Sequence, residues 1–210
     1  MPPVESKQQA PSESPSPKQG LRELKKARTR QEIQRQALLL FQRQGYAATT
    51  VEQIAAAAEV SPSTFFRYFA TKEDVVVYDD YDPKFVAALL RQPKELAPLA
   101  AMRAAIREVF SDVSEEQRGL EYERGRLINT EPVLRAHSFN TTLSSLELLA
   151  GAVAERVGRD PRDLEVRNFI GAIIGTMFTT WQVISEGEQP QDYVAIMDAA
   201  LAHLEAGLPL

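Results

Sequence analysis

The residues best suited to binding chemistry lie in one short segment in the first third of the chain. The segment starts with small residues and ends with a cation: Ser61, Pro62, Ser63, Thr64 and Arg67. Small side chains let the end of a helix enter a groove of duplex DNA, where hydroxyls and a guanidinium can bond base edges or phosphates. The pattern predicts nucleic-acid binding.

Catalytic and metal-binding patterns are missing from the sequence. The chain has no cysteine and only 2 histidines among its 210 residues, which excludes thiolate metal sites and a cysteine nucleophile. It has no Ser/His/Asp set and no glycine-rich phosphate loop. The acidic stretch with Asp79, Asp80 and Asp82 lacks the form of a calcium loop, and a solvated face explains it better. We expect no enzyme activity, no metal and no cofactor.

Three helix-start signals position the hydroxyl segment. Thr50 followed by Gln53, and Thr71 followed by Asp74, have the spacing of capping boxes, and Ser61 precedes a proline suited to the first helical position. A longer amphipathic helix from residue 21 to about residue 45 comes before them. A short helix, a turn and a second short helix form a helix-turn-helix, whose second helix enters the major groove.

The charge of the chain is distributed unevenly. Residues 1–72 hold 11 Lys+Arg against 6 Asp+Glu, which leaves 13 against 23 for residues 73–210. This asymmetry favours an anion-binding module at the front, although chance fluctuation is the alternative. Residues 1–20 contain 5 prolines and 4 serines with almost nothing to bury, so we expect a disordered tail there.

The rest of the sequence has helical periodicity without strand alternation, which predicts an all-α fold. About six helices are expected after the head. One of the last two starts at Pro161 and runs to about Gly187, and the other starts near Pro190. We therefore divide the chain into a tail (1–20), a helix-turn-helix domain (21–75) and an all-helical domain (76–210).

Residues 49–55, 60–69 and 71–75 together resemble the DNA-binding head of TetR-family transcriptional regulators. The resemblance covers roughly residues 24 to 75, and an all-helical remainder follows. It implies a homodimer whose C-terminal domain binds a small molecule and releases a double-stranded operator. The resemblance implies that Tyr68 and Lys72 contact DNA phosphates. The charge, the small size or the hydroxyl groups of the other candidates predict DNA contacts for Arg28, Arg30, Thr50, Ser61, Pro62, Ser63, Thr64 and Arg67. For Thr50 and Ser61, capping alone is the competing explanation.

Two positions depart from the family pattern. Glu59 stands where a turn glycine is usual, so a left-handed backbone there would cost roughly 1 to 2 kcal/mol. Phe66 stands where tyrosine is common in the family. Phenylalanine lacks the hydroxyl that would contact the sugar-phosphate backbone of DNA. The basic residues at the start of the first helix, including Lys25 and Lys26, could replace that contact along the duplex or in a minor groove.

A single small head buries too little DNA for tight specific binding, so two heads per operator are expected. The predicted dimer contacts lie on the last two helices: Gly171, Gly175, Thr179, Met197, Leu201 and Leu204. The first three are spaced four apart and permit close helix approach. An internal core helix is the alternative for the same pattern.

The effector pocket is predicted from apolar residues between the head and the dimer helices. The candidates are Phe85, Met102, Ile106, Phe110, Tyr122, Arg126, Phe139, Leu143, Met177, Phe178 and Trp181. Each of them alone is more often a core residue. The sequence of residues 64–69 and 126–136 resembles a subgroup of this family that is thought to bind acyl-CoA-like effectors. This resemblance implies an apolar tunnel, with Arg126 or Arg135 contacting the phosphates of the effector.

These patterns predict a homodimeric, effector-responsive transcriptional regulator, most simply a repressor with a palindromic operator and a small apolar or acyl-CoA-like effector. The alternatives are an activator, a regulator without a ligand, and a helical scaffold or enzyme-like ligand-binding protein. The longest apolar stretch is about half of the ~20 residues that a bilayer span needs, and the N-terminus lacks a secretory signal. A cytoplasmic protein with no membrane contact is expected.

Overall fold

The computed structural model describes residues 17–186 and 192–210. Within these ranges the chain forms ten α-helices and no β-strand, which confirms the predicted all-α class. The helices are α1 (Pro17–Gln44), α2 (Val51–Ala57), α3 (Pro62–Tyr68), α4 (Lys72–Val77), α5 (Tyr81–Arg91), α6 (Pro98–Phe110), α7 (Glu115–Thr130), α8 (Pro132–Val157), α9 (Leu164–Glu186) and α10 (Tyr193–Glu205).

Helices α1 to α4 form the head around one apolar core. Ile33 and Phe41 of α1 pack with Ile54 of α2 and with Phe65 of α3, all at 0 to 2% exposure. Burial of such side chains contributes roughly 1.5–3 kcal/mol each. The short helices α2 and α3 are stable in this arrangement because each has a capped start and a buried apolar face.

The first helix begins four residues before its predicted start. It runs from Pro17, and proline suits a first helical position because its ring fixes a helical φ. Residues 1–16 of the predicted tail lie outside the described residues. The helix ends at the predicted place, where Gly45 has a φ of 85° that side chains rarely tolerate.

Helices α5 to α10 are the six helices expected after the head, and they enclose a second core. Leu89, Met102, Ile170 and Leu201 are buried at its centre. Leu127 of α7 and Leu134 of α8 join the core of the head instead. The predicted boundary between residues 75 and 76 falls inside α4, which therefore connects the two cores.

The predicted helix start at Pro161 is wrong. Asp160 accepts a hydrogen bond from the Arg162 amide at 2.7 Å and forms a turn, so α9 begins only at Leu164. The predicted boundaries at residues 187 and 190 lie outside the described residues, and Asp192 caps α10 through the amide of Ala195. Within the described ranges, no helix is long and apolar enough to cross a lipid bilayer.

Candidate functional site

The turn between α2 and α3 is fixed by local hydrogen bonds. Thr50 and Gln53 form the predicted capping box, with the Gln53 amide 3.3 Å from the Thr50 hydroxyl and the Thr50 amide 3.0 Å from the Gln53 side-chain oxygen. At the other end of α2, the amides of Glu59 and Val60 donate to carbonyls of the last turn. Glu59 has a φ of 53°, so the acid does occupy the left-handed position that glycine favours.

The third helix presents its first turn and one side to solvent. Phe65 and Phe69 hold it to the core, whereas Ser63 and Arg67 are exposed and Phe66 is 53% exposed. This division follows from helical geometry, because residues four apart share a face. The helix can therefore enter a groove while its apolar side stays in the head.

The start of α3 carries a cluster of hydroxyls. The Ser61 oxygen caps the helix by accepting from the Thr64 amide at 3.1 Å, and it lies 2.9 Å from the hydroxyls of both Ser63 and Thr64. Pro62 fits as the first helical residue, and its missing N–H leaves no orphan donor. The predicted capping roles of Ser61 and Thr50 are confirmed, while their contacts with DNA stay a prediction.

A basic cleft of about 730 Å³ lies between the start of α1 and the end of α3. Its lining residues are Leu21, Arg22, Glu23, Lys25, Lys26, Thr29, Arg67 and Tyr68. Four cations face a single acid there, so the cleft attracts an anionic strand beside the exposed edge of α3. Arg67 and Tyr68 were expected to contact DNA, and the structure places Arg22, Lys25 and Lys26, which were expected to replace the missing Phe66 contact, on the same surface.

Two other predicted DNA contacts have partners inside the protein, and a third lies in a different part of the head. The Arg30 guanidinium lies 4.6 Å from the centroid of the Tyr78 ring, and the Lys72 ammonium donates to the carbonyls of Tyr46 and Thr49 at 2.9 and 3.0 Å. Arg28 lines a different crevice, between α1 and α7. The side chains of Arg30 and Lys72 hold elements of the fold together, and a sequence pattern does not distinguish that role from a phosphate contact.

Helices α5 to α10 form the helical body of the protein. A cavity of about 330 Å³ lies between these helices and the end of α4. Seven predicted effector contacts line it: Phe85, Met102, Ile106, Phe110, Met177, Phe178 and Trp181. The structure places four others outside it: Tyr122, Arg126, Phe139 and Leu143. Of these, Arg126 pairs with Glu123 at 2.6 Å on the same helix, and Phe139 is 64% exposed on α8.

The cavity also has a polar wall, and it includes Asp79 and Asp82 of the acidic stretch, so the expectation of a solvated face is wrong for these two residues. The Arg124 guanidinium lies 3.1 Å from Asp79 and 2.8 Å from Glu121. Burial opposes the charged form of Arg124, but these two carboxylates raise its pKa above the ordinary value. Near the same wall, Ser145 donates to Asp82 at 2.5 Å. Burial raises the pKa of the Asp82 carboxyl, and the charge of Asp79 adds to that effect.

The predicted dimer contacts divide between the two last helices. Gly175 and Thr179 of α9 are exposed, and an added methyl group at Gly171 or Gly175 would meet nothing within 4 Å. On α10, in contrast, Leu201 has 0% exposure and Met197 lines the cavity, while the half-buried Leu204 packs on the core. The apolar stripe of α10 is covered by α6 and α9 of the same protomer, so Met197 and Leu201 offer no surface to a second copy.

Together, the capped α2 and α3, the exposed edge of α3 and the helical body have the architecture of a helix-turn-helix DNA-binding regulator. Residues 33–78 match the family described as bacterial regulatory proteins of the tetR family. Residues 96–209 match the MftR C-terminal domain family. The chain belongs to the TetR family of transcriptional regulators, which confirms the resemblance in its sequence.

One relative and two solved structures are similar to most of the chain, the relative in sequence and the structures in fold. The HTH-type transcriptional regulator TcmR of Streptomyces glaucescens is 42% identical over 161 residues, or 73% of this chain and 71% of that protein. The crystal structure of FadR from Bacillus subtilis in complex with stearoyl-CoA has a TM-score of 0.54 at 22% identity and covers 85% of this chain and 99% of that one. FadR from Bacillus halodurans has a TM-score of 0.57 at 21% identity, with coverages of 91% and 96%.

Proposed function

We propose that the protein is a homodimeric repressor that binds a palindromic operator through two copies of α3. The exposed edge of α3 beside the basic cleft is the observation that carries this proposal. Ser63, Phe66 and Arg67 would reach base edges, with Ser61 and Thr64 close by at the helix start. The other cations of the cleft, at the start of α1, would hold the phosphate backbone. Contacts to phosphates fix the position of the head, and contacts to bases select the sequence.

The second copy of the chain would dock on α8 and α9. Both helices carry large exposed apolar side chains, namely Phe139, Leu143, Leu148, Phe178 and Val183. The small residues Gly171 and Gly175 leave room for another helix to approach. Phe139 and Leu143, which were predicted to line the effector pocket, belong to this surface in the proposal. Two heads would then contact half-sites about 34–36 Å apart.

The cavity would bind a small, largely apolar effector, and α4 would transmit its presence to the head. Val75 and Val76 of α4 are buried in the core of the head, and Val77, the last residue of the helix, lines the cavity. The side-chain amide of Gln34 in α1 donates hydrogen bonds to the backbone carbonyls of Val75 and Tyr78, each at 2.9 Å. An effector that displaces the end of α4 would therefore move α1 as well, and would change the separation of the two heads.

Binding of the protein to a DNA fragment from the region upstream of its own gene tests the proposal. Fluorescence anisotropy across a salt series, with excess non-specific DNA as competitor, separates operator binding from simple electrostatic attraction. We expect tight, competitor-resistant binding with a steep salt slope, and a dimer by light scattering. Weak binding that the competitor removes, or a monomer in solution, would contradict the proposal and favour a helical scaffold or ligand-binding protein.

A further inference from the structure

The charged residues around the effector cavity are unevenly balanced. Among the described residues, its lining contains three carboxylates, Asp79, Asp82 and Glu121, and a single guanidinium, that of Arg124. The net formal charge of the lining is therefore −2. The cation is already engaged by Asp79 and Glu121, at 3.1 and 2.8 Å. These three groups form one hydrogen-bonded set.

Asp82 stands apart from that set, near the start of α5. Its Oδ2 atom accepts a hydrogen bond from the Ser145 hydroxyl of α8 at 2.5 Å, so its hydrogen-bond partner is a neutral group. Burial and the nearby charge of Asp79 both disfavour the ionised form, and the Ser145 hydrogen bond and the charge of Arg124 offset only part of this effect. A carboxylate in such a place is stabilised by any cation that enters the cavity.

Other parts of the cavity lining are aromatic. Phe110, Phe178 and Trp181 line it together with the flexible side chains of Met102 and Met177. Aromatic faces attract cations through their quadrupole and also stack on flat apolar bodies. Methionine adapts to irregular shapes. These walls suit a ligand whose apolar body carries a positive charge.

We propose that the effector is an amphiphilic organic cation, whose flat apolar body lies on these aromatic walls and whose ammonium or iminium group bonds Asp82. This inference rests on the proposed effector cavity and names the class of ligand that it takes. Removal of the cation from water costs free energy. The charge-assisted hydrogen bond between the cation and the Asp82 carboxylate would offset this cost.

The same geometry argues against an anionic, acyl-CoA-like ligand. The arginines expected to bind its phosphates are engaged outside the cavity lining: Arg126 pairs with Glu123, and Arg135 donates to the carbonyl of Asn129. A phosphate or carboxylate inside the cavity would face Asp79, Asp82 and Glu121. Repulsion from these partly buried like charges raises the free energy of that complex.

Two fluorescent three-ring compounds of opposite charge test the proposal without DNA. 9-Aminoacridine is a cation at neutral pH, and 9-anthracenecarboxylate is an anion of similar size and shape. Titration of the full chain should show at least tenfold tighter binding of the cation, with lauroyl-CoA binding more weakly still. Tighter binding of either anion, or no binding of 9-aminoacridine, would overturn the proposal.

Variants assign the preference to Asp82. Asp82→Asn keeps the size of the side chain, and we expect it to weaken 9-aminoacridine binding roughly tenfold or more, since a charged partner is lost. Asp80→Asn is the matched control, because Asp80 pairs with Lys84 and does not line this cavity. Ser145→Ala should retain the preference for the cation, because the carboxylate remains. If wild type and Asp82→Asn bind 9-aminoacridine with equal affinity, Asp82 is not the group that binds the cation.

Operator binding is measured separately, so the two proposals can fail independently. If the protein binds 9-aminoacridine through Asp82 but binds no operator, the regulator proposal fails and the ligand class stands. If it binds the operator but prefers 9-anthracenecarboxylate, the ligand class fails and the regulator proposal stands.

Discussion

The imidazole Nε2 atom of His137 lies 2.7 Å from the Asp74 carboxylate, where helix α8 of the body crosses helix α4 of the head. The other oxygen of the same carboxylate accepts from the Thr71 amide at 2.8 Å and completes the capping box of α4. One side chain thus starts the last helix of the head and joins it to the body. A movement of α8 would therefore act on α4 through this contact.

Removal of this contact should destabilise the fold measurably. His137→Ala is expected to lower the free energy of unfolding by about 1 kcal/mol, because a hydrogen bond to a charged, partly buried group is lost. Lys84→Ala is the control, since its pair with Asp80 lies at the solvent-exposed start of α5 and contributes less than about 0.5 kcal/mol. Urea denaturation of both variants measures the difference. Equal losses would mean that His137 is an ordinary surface residue.

The left-handed backbone at Glu59 predicts a stabilising substitution. Glu59→Gly should raise the free energy of unfolding by about 1 kcal/mol, because glycine adopts a φ of 53° without a steric penalty. Glu59→Gln leaves that penalty in place and should leave stability unchanged while removing a charge that repels phosphate. Thermal melts of the two variants separate backbone strain from charge. A glycine variant less stable than wild type would contradict this account.

Gly125 provides space for the tryptophan of the cavity wall. A Cβ atom at this position would lie 3.0 Å from two ring carbons of Trp181, which is closer than carbon atoms normally pack. Gly125→Ala should therefore cost about 1–3 kcal/mol and shift the emission of this single tryptophan.

Gly119 on the same helix is the matched control for this substitution. An added methyl group at Gly119 meets nothing within 4 Å, so Gly119→Ala should stabilise α7 by up to about 1 kcal/mol. Unfolding curves and emission spectra of the two variants measure the difference. An unchanged tryptophan spectrum in Gly125→Ala would show that the ring is not confined there.

The acid stability of the body depends on Asp198. Arg103 contacts both of its carboxylate oxygens, at 2.9 and 3.0 Å, and Arg107 contacts one at 2.6 Å. The hydrogen bonds from Arg103 are the largest cause that lowers the pKa of Asp198 below its ordinary 3.8, and burial acts in the opposite direction. A lowered carboxyl pKa contributes stability above pH 3.8, and this contribution disappears as the pH falls through the folded-state value.

Asp198→Asn should accordingly lose about 1 kcal/mol of stability at pH 7. The difference from wild type should shrink as the pH falls below about 3.8. Asp112→Asn, at an exposed position after α6, should leave the whole curve unchanged. Denaturation at several pH values provides the test. A difference that stays constant into strong acid would show that the effect of Asp198 is not electrostatic.

Local features of the head could be predicted because each depends on a few adjacent residues. The caps at Thr50, Ser61 and Thr71 follow from hydroxyls at fixed spacing, and the strain at Glu59 follows from one turn position. The apolar half of the cavity also followed from composition, since Phe110 and Trp181 do line it.

Features that depend on long-range packing could not be predicted. The polar wall joins Asp79 before α5 to Arg124 on α7, 45 residues apart in the chain. The apolar stripe with Leu201 does not reveal whether its own protomer or a partner covers it. In the same way, the charge of Lys72 suggests a phosphate, whereas the fold directs its ammonium to two backbone carbonyls.

Comparison of two arginines in one binding assay tests the central claim most directly. Arg67 lies at the basic cleft beside α3, and Arg28 lies in the crevice between α1 and α7. We expect wild type to bind its upstream fragment against competitor, and Arg67→Ala to lose roughly 10- to 100-fold with a salt slope smaller by about 1. Arg28→Ala should bind like wild type. An Arg67→Ala variant with unchanged affinity and salt slope would contradict the assignment of α3 as the helix that reads DNA.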